Sequence, residues 1–304
     1  MKYRREIDGL RALAIAPIIL FHAGFGIFQG GYLGVDIFFV ISGYLITSIL
    51  LRDLQLDRLA LANFYERRAR RILPALFLVM GVCLLVAPFV MLPAEMKALA
   101  KSLIAVATFS SNLLFWRESG YFDISGDFKP LLHTWSLAVE EQFYLLYPLF
   151  LLAISRWART RLALLLAAVG LLSLALAHWA AFHRAGADFY LLPTRAWELL
   201  MGALAGYYLT NRKGSPHQAA DGALALIGIV CTVVPVFLFS AATPHPSAYT
   251  LLPTLGAAMV ILFARPDNFA GLILGSWPLV ELGLISYSAY LWHQPIFAFT
   301  RIQC

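Results

Sequence analysis

Arg11 and His22 sit eleven residues apart in an otherwise apolar run. At 100° per residue this is three turns plus about 20°, so both side chains face one side of a helix, about 16 Å apart along its axis. An ionisable group inside a membrane helix is costly and marks a candidate functional site. A cation at one end and a titratable imidazole three turns deeper would hold an anionic molecule and act on its far end. Asp36 follows across the short connection Gln29-Gly30-Gly31-Tyr32, about one turn into the next apolar segment. It is therefore expected at the depth of His22, where a carboxylate could orient the imidazole and raise its basicity. The plainer alternative is that His22 bonds a neighbouring helix and Asp36 caps its own.

Three further groupings carry polar chemistry in apolar surroundings. The stretch Phe64 to Pro74 holds Arg67, Arg68, Arg70 and Arg71. On a helix Arg67 pairs with Arg70 and Arg68 with Arg71 at i,i+3. Arginine forks suit phosphate oxygens, although from charge alone a basic anchor at lipid headgroups is the better reading. In His133 to Tyr144, two adjacent carboxylates, Glu140 and Glu141, enter an apolar segment and could pass protons. His133, Glu140 and Tyr144 share one helical face, and Glu141 points about 100° away. Arg195 and Glu198, at i,i+3, read as an internal ion pair. Ser286 to Pro295 combines an aromatic belt with Tyr290 and His293, again at i,i+3. His178, His183, His217 and His245 fall near segment ends or in loops and receive no role.

The elements that must position these groups are membrane helices. The chain has 304 residues, 61% hydrophobic and 13% charged, where a soluble domain carries about 25% charged residues. We read apolar segments at about 10–28, 33–51, 72–92, 98–116, 134–154, 161–183, 194–210, 221–240, 249–264 and 279–300. Each approaches the ~20 residues needed to cross a bilayer, and in lipid they must be helices. The expected fold is thus an all-α polytopic membrane protein of about 10 helices in a single domain. Residues 98–116 hold Lys101, Ser102, Thr108, Ser110, Ser111 and Asn112 and can be read as re-entrant. Lys2, Arg4, Arg5 and Arg11, then Arg52, Arg58 and Arg67 to Arg71, place the N-terminus and second loop in the cytoplasm. Arg156, Arg159 and Arg161, with Arg212 and Lys213, favour the re-entrant arrangement, which puts residues 93–133 outside. The net charge of +6 sits in short loops, which argues against nucleic acid. Cys83, Cys231 and Cys304 have neither metal-site nor disulfide spacing.

Taken together, Arg11 with His22, Phe38 to Leu45, the arginine stretch ending at Pro74, His133 to Tyr144, and Ser286 to Pro295 resemble the bacterial acyltransferase-3 family of membrane O-acyltransferases. The likeness covers nearly the whole chain, with the motifs in family order. It is greatest to the branch that acetylates surface glycans such as lipopolysaccharide O-antigen or peptidoglycan. The resemblance implies a multi-pass protein of the bacterial cytoplasmic (inner) membrane. It implies acetyl-CoA as donor substrate, no permanently bound cofactor and no metal, and a glycan hydroxyl on the far side as acceptor. The family's Arg-x10-His pattern matches Arg11 and His22. Its second-loop arginine pair falls within Arg67 to Arg71 with the register open, and its serine-glycine motif matches Ser42 and Gly43. The implied donor site is thus Arg11, Arg67, Arg68, Arg70, Arg71, Ser42 and Gly43.

His22 is then the general base or transient acetyl acceptor, with Asp36 orienting it and Glu140 or Glu141 assisting proton transfer. His133, Tyr144, Arg195, Glu198, Tyr290 and His293 are further candidates. Similar members usually continue past the Trp-His-x-Pro motif into another apolar segment, and many carry an extracytoplasmic SGNH esterase-like domain. This chain stops at Cys304. The expectation is a single acyltransferase domain over residues 1–304, C-terminally truncated, working with a separate SGNH-type transferase. Intramembrane Asp, Glu and His also mark proton relays, so a proton-coupled flippase or transporter of a glycan or lipid-linked substrate is the alternative.

Overall fold

The computed structural model describes residues 3–56, 60–119, 126–157, 161–211 and 218–303. Arg58, Arg159, Arg212, Lys213 and His217 lie outside the described residues, as does the side chain of Arg156. Among the described residues all the regular elements are helical, as the apolar segments require.

The helix α1 (Arg5–His22) starts earlier than its apolar run and ends at His22. His22 is therefore the last helical residue rather than a mid-helix group, because Ala23 and Gly24 turn the chain, Gly24 at φ 86°. Two short 3-10 turns lead into α2 (Gly34–Gln55). The helix α3 (Leu61–Val90) carries the arginine stretch in its first three turns. The segment expected at 98–116 is instead two helices, α4 (Pro93–Ala107) and α5 (Ser111–Glu118). They break at Phe109, whose φ is 50°. The backbone freed there needs partners in an apolar environment. Gln142 supplies one, donating to the Phe109 carbonyl at 3.0 Å and to Asn112 Oδ1 at 2.8 Å.

Then follow α6 (Thr134–Trp157), α7 (Leu162–His183), the short α8 (Ala185–Tyr190), α9 (Leu192–Asn211), α10 (Gln218–Leu238) and α11 (Leu251–Phe263). The last expected segment is not one helix. The chain forms α12 (Phe269–Leu274), α13 (Trp277–Leu284) and α14 (Ser286–Gln303), with Ile285 at φ −85°, ψ −2° ending α13.

Five helical segments are long and apolar enough to cross a membrane: Gly31–Gln55, Leu61–Val90, Thr134–Ile154, Leu162–His183 and Ala220–Leu238. Length and composition therefore support five of the ten expected crossings among the described residues. The others fall short for physical reasons. The first turns of α1 bury Glu6 and Asp8 beside Arg11. The helix α11 has 13 residues, and the last segment is broken at Ile285. The outward faces of α3 and α7 are apolar and uncovered, with Leu85 72%, Phe89 87% and Leu172 71% exposed. Patches of this kind on a helix face mark a lipid or partner surface.

The centre of the fold is α2, which packs on α1, α6, α9 and α11. Its crossing with α9 is close because small residues let the backbones meet. A Cβ on Gly43 would lie 1.8 Å from the Leu199 carbonyl oxygen, and one on Gly202 would lie 1.9 Å from that of Val40. At the start of α1, Arg4 donates to the Ile261 and Ala264 carbonyls at 2.9 and 3.0 Å. It satisfies carbonyls that the end of α11 leaves without helical partners.

Candidate active site

Two cavities lie inside the helices. The inner one, about 110 Å³, is lined by Arg11 from α1, Ser42 from α2, Arg68 and Arg71 from α3, Glu140 and Tyr144 from α6, and Tyr287 from α14. The outer one, about 670 Å³, is lined by His22, His133, Trp135, Phe189, His245 and Gln294, among others. Val35 and Tyr290 line both. They lie toward opposite ends of α1, with Arg11 lining one and His22 the other.

The rotation of α3 sorts the four arginines. Arg68 and Arg71 turn into the inner cavity. Arg67 turns out to Asp53 at 3.2 Å and Arg70 to Glu66 at 2.7 Å, with side chains 59% and 79% exposed. Arg68 lies over the Tyr144 ring at 5.2 Å. Arg11 donates to Asp8 Oδ1 at 3.2 Å and keeps most of its fork toward the cavity. Three guanidinium groups thus surround a space with room for anionic oxygens. One carboxylate faces them. Glu140 accepts from Ser42 Oγ and, at 2.5 Å, from the Tyr144 hydroxyl. Gly43 does not line the cavity; it sits at the α2–α9 crossing. Glu141 points away from both cavities into a side pocket of about 310 Å³ beside Tyr65 and Phe109.

At the other end three imidazoles cluster. The His22 and His293 rings are 5.1 Å apart, and those of His133 and His293 5.3 Å apart. His22 Nδ1 lies 2.9 Å from the Ile18 carbonyl. A carbonyl can only accept, so Nδ1 carries the proton and Nε2 is left with a free lone pair. The same logic holds for His293, whose Nδ1 is 2.6 Å from the Tyr290 carbonyl. Arg301 donates to the His22 carbonyl and to Asp127 Oδ1, tying the end of α1 to α14. Tyr290 donates its hydroxyl to the His133 carbonyl at 2.9 Å and lies 2.6 Å from Ser136 Oγ. The boundary between the cavities is therefore held by α6 and α14 together.

Asp36 is not bonded to His22. It is fully buried, and its oxygens lie 2.8 and 3.1 Å from His245 Nε2. Arg195 Nη1 donates to the same carboxylate at 2.7 Å and to Glu198 at 3.2 Å. The ion pair expected of the i,i+3 spacing of Arg195 and Glu198 is thus present, with a third and a fourth member. His245 lies in the loop before α11, and burial holds its pKa below the ordinary histidine value against the pull of Asp36. No feature of the linear sequence marks it. Its neighbours Thr243, Pro244 and Pro246 are ordinary loop residues, and its partner is 209 positions away. Among the described residues no group of three or more His, Cys, Asp or Glu is arranged to hold a metal ion.

The acyltransferase-domain family profile matches residues 4–302. The chain is 35% identical to the peptidoglycan O-acetyltransferase OatA of Listeria monocytogenes, over 98% of this chain and 50% of that protein. It is 32% identical to the O-acetyltransferase OatA of Staphylococcus aureus, over 99% of this chain and 51% of that protein. The chain spans about half the length of these curated relatives. No solved structure matches.

Proposed function

Given that the chain belongs to the acyltransferase-domain family, we propose that it is a membrane O-acetyltransferase. In this reading it takes acetyl from cytoplasmic acetyl-CoA and delivers it to a hydroxyl of a cell-envelope glycan across the bacterial cytoplasmic membrane. The names of the similar proteins favour peptidoglycan as the glycan. The N-terminus and the start of α3 then face the cytoplasm, as their arginines favour.

One observation carries the reading: a cavity walled by arginines and a cavity walled by histidines adjoin at Val35 and Tyr290, which line both. Arg11, Arg68 and Arg71 hold the phosphates of the donor by charge-assisted hydrogen bonds. The pantetheine arm runs along α1, whose Arg11–His22 span of about 16 Å matches it in kind. The thioester then lies beside Tyr290 and the three imidazoles. His22 Nε2, bare because Nδ1 is committed to Ile18, is the base or the transient acetyl acceptor. As base it removes the acceptor's hydroxyl proton while the oxygen adds to the thioester carbon. The C–S bond then breaks and the thiolate takes the proton. Glu140, held by Ser42 and Tyr144, lies at the arginine end and is placed to tune donor binding rather than to reach His22.

The transporter alternative rests on the buried Asp36, Arg195 and Glu198. One experiment separates the two. Labelled acetyl-CoA is supplied to purified protein in proteoliposomes, wild type beside His22→Ala. The enzyme reading expects thioester turnover that falls at least a hundredfold in the variant. Full turnover by folded His22→Ala would remove the assignment, and no turnover by wild type would favour transport.

A further inference from the structure

The buried ionic group is an expense that the donor path does not explain. Asp36, Arg195 and Glu198 are each fully buried. Burying such charges costs several kcal/mol per ion before pairing. None of the three lines the inner cavity, and none hydrogen-bonds His22. What they touch is the wall of the outer cavity facing the histidine cluster. His245 is held by Asp36. The Arg195 guanidinium lies 5.1 Å from the centroids of both the Trp135 and the Phe189 ring, on one side of the pair. Those two rings pack on each other at 4.6 Å, and Tyr32 meets His245 edge-on at 4.7 Å. Tyr32, Trp135, Phe189 and His245 all line the outer cavity. One buried charge group therefore fixes the orientation of one hydrogen-bonding ring and backs two aromatic rings, of which Trp135 is buried and Phe189 partly exposed.

The volume points the same way. At about 670 Å³ the outer cavity has the size of a ligand site, ~300–1,000 Å³, far more than an acetyl group needs. Aromatic faces beside a fixed polar group suit a ligand that is apolar on one face and hydroxylated at its edges, which is the character of a pyranose ring. The Asp36 carboxylate can only accept, so His245 Nε2 carries the proton and Nδ1 is left as an acceptor. A sugar hydroxyl is the complementary donor.

We propose that Trp135, Phe189 and His245 form an acceptor-sugar subsite in the outer cavity, with Asp36 and Arg195 as its positioning residues. This rests on the acetyltransferase reading and adds where the acceptor binds. The sugar lies between this wall and the histidine cluster. The ring packs on the exposed part of Phe189, with Trp135 behind it, and a hydroxyl other than the reacting one donates to His245 Nδ1.

The test uses the full chain in nanodiscs and a lysozyme-released peptidoglycan disaccharide as probe. Saturation-transfer NMR reads disaccharide binding without turnover, and transfer from labelled acetyl-CoA reads KM for each substrate. Phe189→Leu should abolish the saturation transfer. His245→Phe should raise the KM for disaccharide about tenfold more than that for acetyl-CoA, and His245→Gln, which keeps an acceptor, should recover part of that loss. Equal changes in both KM values, or in kcat alone, would overturn the subsite. So would absence of disaccharide binding by wild type that still turns over acetyl-CoA. Disaccharide binding without any acetyl-CoA turnover would leave the subsite standing and remove the proposed reaction.

Discussion

Asp36, one turn into α2, lies 2.8 Å from Nε2 of His245, and its carboxylate is shared with Arg195 at 2.7 Å. His22, at the end of the preceding helix, is oriented by the backbone carbonyl of Ile18 instead. These two imidazoles of the outer cavity wall therefore have different keepers. A backbone carbonyl leaves His22 with Nε2 free, and a carboxylate leaves His245 with Nδ1 free.

This pairing makes Asp36 a stability residue as well. Asp36→Asn removes one of the two carboxylates that pair with the buried Arg195 guanidinium. Removing one member of a buried pair costs about 3–5 kcal/mol. The expected result is a large drop in the unfolding midpoint in detergent. A midpoint within a degree or two of wild type would mean that Glu198 alone balances Arg195.

Arg68 and Arg71 should matter for the donor where Arg67 and Arg70 do not. Arg68→Ala and Arg71→Ala each remove a charge-assisted contact, worth ~1.5–3 kcal/mol. KM for acetyl-CoA should rise roughly tenfold to a hundredfold in each. Arg67 and Arg70 form exposed ion pairs of the kind worth ~0–1 kcal/mol, so their alanine variants should stay near wild-type KM. The reverse ranking would mean that α3 is rotated in the working protein.

Val35 lines both cavities. Val35→Trp should plug the junction, leaving acetyl-CoA binding at the arginines while cutting transfer at least a hundredfold. Equilibrium binding of acetyl-CoA measured beside turnover reads the two separately. Loss of binding together with transfer would argue against two chambers in series.

Asp188 on α8 is buried, and neither carboxyl oxygen has a hydrogen-bond partner. Burial pushes its pKa up to about 7, against the opposing effect of Arg195. The folded chain therefore holds this proton more tightly than the unfolded chain, where the value is about 3.9. Stability from this group is greatest in acid and is lost as pH rises from about 4 through about 7. Asp188→Asn should flatten that part of the pH–stability curve, read as unfolding midpoints from pH 5 to 8. An unchanged slope would place the titration elsewhere.

Part of what lines the two cavities was legible in the residues themselves. The Arg11–His22 phase follows from helical periodicity, and a single α1 does carry one to each cavity. Arginines at the start of α3 were visible, but their register was not. Which two of the four face inward depends on how α3 rotates against α6 and α14. Thr108, Ser110 and Asn112 hinted at the irregular segment, and the break at Phe109 depends on Gln142 from another helix. The partner of Asp36 could not be read at all. Depth along two helices placed it near His22, yet direction is set by the α2–α9 crossing at Gly43 and Gly202, which turns Asp36 toward Arg195.

The most direct test of the central claim is where the acyl end of the donor lies. An acyl-CoA carrying a diazirine on its acyl chain would be bound from the arginine side, photolysed, and the labelled peptides identified by mass spectrometry. The expected result is labelling of the outer-cavity segments around His22 and Tyr290 to His293, lost in Arg68→Ala and in Val35→Trp. Labelling confined to residues of the inner cavity, or to the exposed faces of α3 and α7, would contradict a path that delivers the thioester to His22.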